Sequence, residues 1–136
     1  MTAVETGEVV RLAKTVTEFD VYGFAGITGD FYPLHIDAEY AQEHPAGARV
    51  AHGVLILGLM SAAAGQWMTR KEVDGYSYGY DTVRFIKPVY LGDTVSVTFT
   101  VKGERPEEGG KILCAVDAHN QHGELVAVAT HVIWLN

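Results

Sequence analysis

The feature that most constrains the fold is an apolar run that follows Gly53. Residues 54–68 read VLILGLMSAAAGQWM, with apolar side chains on almost every side of a helix of that length. A helix that is apolar all round must be buried. The run is shorter than the roughly 20 residues that cross a bilayer, and it includes serine, glutamine and glycine. It predicts the central helix of a globular domain, and Gly58 and Gly65 predict places where a neighbour packs closely.

The remainder of the chain supplies strands and two short helices. Residues 9–16 predict a first strand, Thr17 a helix N-cap, Gly29 the end of that helix, and residues 38–43 a second short helix. Four later stretches alternate apolar and polar residues between turn signals, which predicts strands. These stretches are 76–86, 94–104, 111–120 and 124–135, with turns at 87–93, 107–110 and 121–123.

This order of elements predicts an α+β fold with an antiparallel sheet across the central helix. At 136 residues, the chain is expected to form a single domain, 1–136. A sheet covers only part of a helix that is apolar all round, so a second subunit is the natural cover for the rest. We therefore expect a homodimer.

The candidate catalytic side chains lie in residues 29–37, GDFYPLHID, between the two short helices. Pro33 lacks an N–H and restrains Tyr32, so the backbone from Asp30 to His35 is not expected to form helix or paired strand. A carboxylate beside an imidazole can orient and deprotonate a water near neutral pH. The structural alternative is that Asp30 caps a turn, Asp37 caps the following helix and His35 is an ordinary loop histidine.

Three other functional classes are less favoured by the sequence. Asp30, His35, Asp37, His44 and His52 are potential metal ligands, but their spacing lacks the His-x3-His or paired-cysteine patterns of zinc sites, so no metal is expected. A net charge of −7 argues against nucleic acid or an anionic membrane surface as the partner.

The single cysteine, Cys114, lies on the apolar side of its predicted strand and is interpreted as buried filler. One cysteine fits a reducing compartment. The N-terminus MTAVETGE has no basic region followed by an apolar run, so no secretory signal is expected. These features predict a cytoplasmic protein.

Three landmarks in order resemble one family. Residues 24–37, FAGITGDFYPLHID, are similar to the signature of MaoC-like, (R)-specific enoyl-CoA hydratases. Residues 51–53, AHG, and 83–89, VRFIKPV, followed by Gly92-Asp93, resemble the family's next two landmarks. The resemblance implies a hotdog fold, an antiparallel sheet wrapped around a central helix, usually as a dimer. It also implies reversible addition of water to the α,β double bond of an acyl thioester, without a separate cofactor.

The resemblance also implies residue roles. Asp30 and His35 match the pair that holds the reacting water, and Gly53 matches the residue whose N–H receives the thioester oxygen. Unpaired N–H groups at a helix start can stabilise such an oxygen. Ser61 matches a serine near the family's active site, although a serine in a packed helix is as often simply small.

Tyr32 departs from the pattern, because the family usually has asparagine there. Three interpretations are open: the hydroxyl braces the Asp30/His35 pair, the ring narrows the acyl pocket, or the site has drifted.

Substrate binding is predicted for Tyr32 and Ser61, and for two cations, Arg84 and Lys87. Together with Arg49, Arg70 and Lys71, these two are the candidates for coenzyme A phosphates, with solvated surface charge as the alternative for each. Tyr76, Tyr78 and Tyr80 either line an acyl tunnel or share one face of a strand.

The sequence leaves two rivals to the hydratase. A thioesterase is the enzymatic rival, since one fold can host several chemistries. A non-catalytic acyl-thioester-binding subunit is the other, and Tyr32 makes it worth testing.

Overall fold

The computed structural model describes residues 4–105 and 109–136, apart from the side chain of Arg105. The start of the chain and part of the predicted 107–110 loop lie outside these residues. The elements follow the predicted order closely. They are β1 (Val9–Thr15), α1 (Glu18–Thr28), α2 (Pro33–Ile36), α3 (Ala38–Glu43), α4 (Gly53–Lys71), β2 (Gly75–Phe85), β3 (Thr94–Arg105), β4 (Lys111–His119) and β5 (Leu125–Leu135).

Local signals set the ends of the short helices. Thr17 caps α1 with a full capping box, in which its side chain accepts from the Asp20 N–H and the Asp20 carboxylate accepts from the Thr17 N–H. Gly29 ends α1 in the left-handed conformation, with φ 81°. Asp37 caps α3 by accepting from the N–H groups of Glu39 and Tyr40. The capping interpretation of Asp37 is thus confirmed.

The prediction for the backbone around Pro33 was wrong in part. Pro33 is the first residue of α2, a single helical turn. Proline suits this position because its φ is already helical and the N–H that it lacks would have had no partner. His35 therefore sits on a helical turn instead of an extended loop.

The sheet is antiparallel throughout, in the order β1-β3-β4-β5-β2. Alternate residues of β4, among them Cys114 and Val116, point towards the helix side and are buried. Cys114 is buried as predicted, and burial raises the pKa of its thiol to about 12. No helix in the described part of the chain is long and apolar enough to cross a membrane.

Helix α4 is buried on one side only. Leu55, Met60 and Trp67 pack into the core, whereas Val54 is 52% exposed. A methyl group added at Gly58 or Gly65 would meet no heavy atom within 4 Å. The predicted close neighbour at these glycines is therefore not supplied by the described part of this chain. The uncovered side of α4 agrees with the prediction that the sheet covers only part of this helix.

Strand β2 lies at the edge of the sheet and contains two irregularities in its pairing with β5. They place Tyr80 on the inner face, stacked on the buried His131 at 4.2 Å between ring centroids. Tyr78 instead packs edge-on against Trp134, and both rings are about half exposed. The interpretation that Tyr76, Tyr78 and Tyr80 share one face was wrong, because bulges break the two-residue alternation.

Candidate active site

Asp30 begins the loop between α1 and α2. Its backbone N–H donates to the Thr28 hydroxyl at 3.1 Å, and its carboxylate Oδ1 accepts from the Tyr32 N–H at 3.3 Å. The second contact is the turn-capping role that the sequence left open. Asp30 is exposed, so its carboxylate can serve the turn and still face solvent.

His35 is fixed by a hydrogen bond across the chain. Its Nδ1 lies 2.7 Å from the backbone carbonyl oxygen of Val50. A carbonyl oxygen only accepts, so Nδ1 carries the proton, and Nε2 is the nitrogen with a free lone pair in the neutral ring. The arrangement gives His35 one nitrogen that can accept a proton.

The fold brings the predicted pair together with a second histidine. One side-chain oxygen or nitrogen from each of Asp30, His35 and His52 lies within 4.8 Å of the other two. Groups at this separation can share one water molecule. Of the five potential metal ligands in the sequence, these three converge. Asp37 is used in the α3 cap, and His44 Nδ1 accepts the Ala46 N–H at 3.0 Å.

Gly53 is the first residue of α4, where backbone N–H groups have no partner within the helix and the helix dipole is positive. The ring of Phe85 packs directly on it: a Cβ on Gly53 would come within 2.9 Å of two ring carbons. Gly53, Phe85 and Lys87 line a cavity of about 330 Å³. The cavity opens beside the N-terminus of α4, where an oxygen acceptor would be placed.

In the sequence analysis, His52 was a possible metal ligand and part of the AHG landmark at the start of α4, and Phe85 was part of the VRFIKPV landmark, but neither had a contact in the site assigned to its side chain. His52 is 1% exposed, its Nε2 lies 2.9 Å from the backbone oxygen of Asp30, and its ring stacks on His35. The sequence signals for His52 were the AHG landmark and its place immediately before Gly53, whereas its side-chain contacts join residues far apart in the sequence.

Tyr32 contacts His35 through its ring and Asp30 through its backbone N–H. The ring meets His35 edge-on with centroids 5.7 Å apart. A hydrogen bond with the side chain of Tyr32 raises the pKa of Tyr40. The Tyr32 and Tyr40 rings meet edge-on with centroids 6.3 Å apart, and Tyr32 is 48% exposed. The three interpretations of Tyr32 stay predictions.

The remaining predicted substrate-binding residues are spread out. Ser61 lies about 12 Å along α4 from Gly53. Burial raises the pKa of Tyr80, and a hydrogen bond from Ser61 opposes that shift.

Lys87 lines the cavity beside Gly53 and pairs with Glu124. Arg84 alternates with Phe85, so it points to the opposite face of β2, where it donates to the Val83 carbonyl at 2.8 Å. Within this chain, Arg84 does not reach the Gly53 cavity.

Two of the other candidate cations have carboxylate partners. Arg49 Nη1 lies 3.0 Å from Glu18 and donates to the Tyr22 hydroxyl at 2.6 Å, while Lys71 lies 2.7 Å from Glu8. The hydrogen bond from Arg49 lowers the pKa of Glu18. These contacts fit the surface-charge interpretation of Arg49 and Lys71.

Known proteins share both the sequence and the fold. The family model for the MaoC like domain matches residues 2–121. An (R)-specific enoyl-CoA hydratase of Rhodospirillum rubrum is 41% identical over 105 residues, which cover 77% of this chain and 71% of that protein. A 3-hydroxybutyryl-CoA dehydratase of Methylorubrum extorquens is also 41% identical, over 76% of this chain and 64% of its own length. The match thus spans less than two thirds of the second relative.

A solved structure matches over the whole chain. The (R)-hydratase of A. caviae, described as involved in PHA biosynthesis, superposes with a TM-score of 0.89 at 28% identity and covers 100% of both chains. The five-stranded antiparallel sheet with its one long helix is therefore the hotdog architecture expected from the sequence.

Proposed function

Because this chain belongs to the MaoC-like dehydratase family, we propose that it is a hydratase/dehydratase that adds water to the α,β double bond of an enoyl-CoA. The product is an (R)-3-hydroxyacyl-CoA. The observation that carries this proposal is the convergence of Asp30 and His35 beside the N-terminus of α4. The names of the relatives above support the same reaction.

Asp30 and His35 handle the water. The water lies between the carboxylate and His35 Nε2, and its oxygen attacks the β carbon while the pair takes up its proton. The α carbon then receives a proton from the pair. The base and the acid are assigned to the pair and not to one member.

Gly53 stabilises the charge that develops during attack. The π electrons of the double bond shift towards the thioester carbonyl, and the oxygen becomes enolate-like. The Gly53 N–H donates to that oxygen with help from the α4 dipole. Losing one such donor typically costs about 2.7 to 4 kcal/mol of transition-state stabilisation.

The cavity beside Gly53 receives the thioester end of the substrate. Lys87 lies at this cavity and offers a cation to the coenzyme A phosphates once it exchanges Glu124 for them. Ser61 and Tyr32 contact the acyl part. The proposed reaction uses no metal or additional cofactor, because Asp30 and His35 carry the protons, Gly53 supplies the oxyanion donor, and the water comes from solvent.

We also propose that the protein forms a homodimer and acts in the cytoplasm on acyl thioesters, without nucleic acid or membrane as a partner. Two apolar residues of α1, Phe19 and Ile27, are each 85% exposed. With Leu55, Gly58 and Leu59 of α4 they line one groove. A second copy covering this surface would bury it, as monomers rarely expose large contiguous apolar patches.

Hydration of crotonyl-CoA tests the function directly. We expect loss of the enoyl absorbance and formation of (R)-3-hydroxybutyryl-CoA, identified by chiral analysis. Release of free thiol without hydration would favour a thioesterase. Tight binding of crotonyl-CoA and of longer or dicarboxylic enoyl-CoAs without turnover would favour an accessory subunit, and either result would overturn the proposal.

A further inference from the structure

We infer that His52 is a positioning residue for the proposed hydration: it holds the Asp30 loop and the His35 ring in place beside the Gly53 N–H. The inference rests on the proposed function and extends it to a residue with no assigned role. His52 is 1% exposed, so its contacts with the site are made inside the protein and are shielded from solvent.

The first contact fixes the loop that carries the carboxylate. His52 Nε2 lies 2.9 Å from the backbone carbonyl oxygen of Asp30. Since that oxygen only accepts, Nε2 carries a proton and donates it. The bond joins the start of α4 to a loop more than twenty residues earlier. The other hydrogen bonds of Asp30 among the described residues are short-range contacts with Thr28 and Tyr32.

The second contact fixes the plane of the other catalytic candidate. The rings of His52 and His35 are stacked, with centroids 3.9 Å apart and an angle of 27° between their planes. Phe24 lies 4.8 Å away from the His52 ring. Together with the bond from Nδ1 to the Val50 carbonyl, the stack sets the direction in which His35 Nε2 points.

The third link is covalent. His52 is the N-cap residue of α4, and its carbonyl oxygen accepts from the Leu55 N–H at 3.1 Å, which starts the helix. Gly53 follows directly. One residue thus connects the carboxylate, the imidazole and the oxyanion donor, and any movement of its ring shifts them relative to one another.

Only one of the two ring nitrogens of His52, Nε2, has a hydrogen-bond partner among the described residues. Its Nδ1 has no hydrogen-bond partner among the described residues and is shielded from solvent. With Nε2 as the donor, a neutral ring leaves only a lone pair on Nδ1, which costs less than an unpaired buried N–H.

Two variants separate the contacts, and a third serves as the control. His52→Phe keeps a flat ring against His35 and loses the bond to Asp30, while His52→Gln retains a side-chain N–H that can reach the Asp30 carbonyl. His131→Phe makes the same change at another buried histidine, also 1% exposed, which stacks on Tyr80 and bonds to Ser77. Each is assayed for crotonyl-CoA hydration, with kcat and KM determined separately, and for thermal unfolding.

We expect kcat of His52→Phe to fall by about 10²-fold, as for a misplacement of roughly 1 Å, with KM changed less than threefold. His52→Gln should recover at least part of that loss, and His131→Phe should keep its kcat despite a comparable change in Tm. Unchanged kcat in His52→Phe, or an equal loss in the control, would overturn the role of His52. An inactive wild-type protein would overturn the proposed function instead.

Discussion

At the scale of single residues, the candidate site uses few side chains, and each has a second structural duty. Asp30 caps a turn, His35 binds the Val50 carbonyl and Gly53 begins a helix against Phe85. The structural and catalytic interpretations of Asp30 are therefore compatible. Substitutions that preserve the structural duty can isolate the chemical one.

Asp30→Asn is the clearest such substitution. The amide oxygen can still accept from the Tyr32 N–H, but the side chain no longer holds a charge or takes up a proton. We expect kcat for crotonyl-CoA hydration to fall by about 10² to 10⁴-fold, the usual contribution of a general acid–base group. The melting temperature should stay close to that of the wild type. A variant with full activity would remove Asp30 from the mechanism.

Gly53→Ala tests the closeness of Phe85. The added methyl would approach the ring to 2.9 Å, which displaces the ring into the cavity that the thioester enters. We expect kcat/KM to fall by about 10²-fold. Gly26→Ala in α1 is the matched control, because its methyl would meet nothing within 4 Å. It should retain activity and gain up to about 1 kcal/mol of stability. Equal activity of both variants would show that the contact between Gly53 and Phe85 does not control access of the thioester to the cavity.

At the scale of elements, local chemistry predicted the ends of helices better than it predicted their surroundings. Thr17, Gly29 and Asp37 act on backbone groups within a few residues of themselves, so their roles could be inferred from the sequence. The bulges of β2 could not, because they arise where β2 meets β5 and leave no pattern in β2 alone. His52 was missed for the same reason, since its contacts are made by distant segments.

Helix α4 shows a different limit. Its apolar composition predicted burial correctly, but composition cannot say whether the cover comes from the same chain or from a second one. The exposed side carries Val54 and Gly58, next to Phe19 and Ile27 of α1. These residues provide the test of the proposed dimer.

Gly58→Glu places a charge on that exposed side without crowding the single subunit, where a Cβ meets nothing within 4 Å. We expect the variant to be folded and monomeric by light scattering coupled to size exclusion, and the wild type to be dimeric. Ser96→Glu, on the exposed outer face of β3, is the control and should remain dimeric. A dimeric Gly58→Glu protein would show that the partner binds elsewhere.

At the scale of the whole molecule, stability depends on a histidine outside the proposed site. Burial lowers the pKa of His131 from 6.5 to about 4. Between these two values, the unfolded chain binds a proton that the folded protein does not bind. The free energy of unfolding therefore falls as the pH is lowered from 6.5 to 4, and His131 adds no pH dependence above 6.5.

Urea unfolding of the wild type and His131→Phe, at several pH values from 7.5 to 4, tests this dependence. We expect the difference in unfolding free energy to shift in favour of the variant as the pH falls, by up to about 3 kcal/mol in total. Because both proteins share the other titrating groups, the contributions of those groups to the pH dependence cancel in the difference. A difference that is constant with pH would mean that His131 is protonated equally in both states.

The hydrogen bond between His35 and Val50 also bears on the direction of metabolic flux. With Nδ1 held by a carbonyl oxygen, Nε2 is the nitrogen available for proton exchange, so in the proposed mechanism hydration and elimination use the same nitrogen in opposite sense. By microscopic reversibility, a catalyst accelerates both directions by the same factor, so His35 cannot favour one of them. The ratio of enoyl to hydroxyacyl thioester in the cell, acting through mass action, then decides which reaction this protein performs.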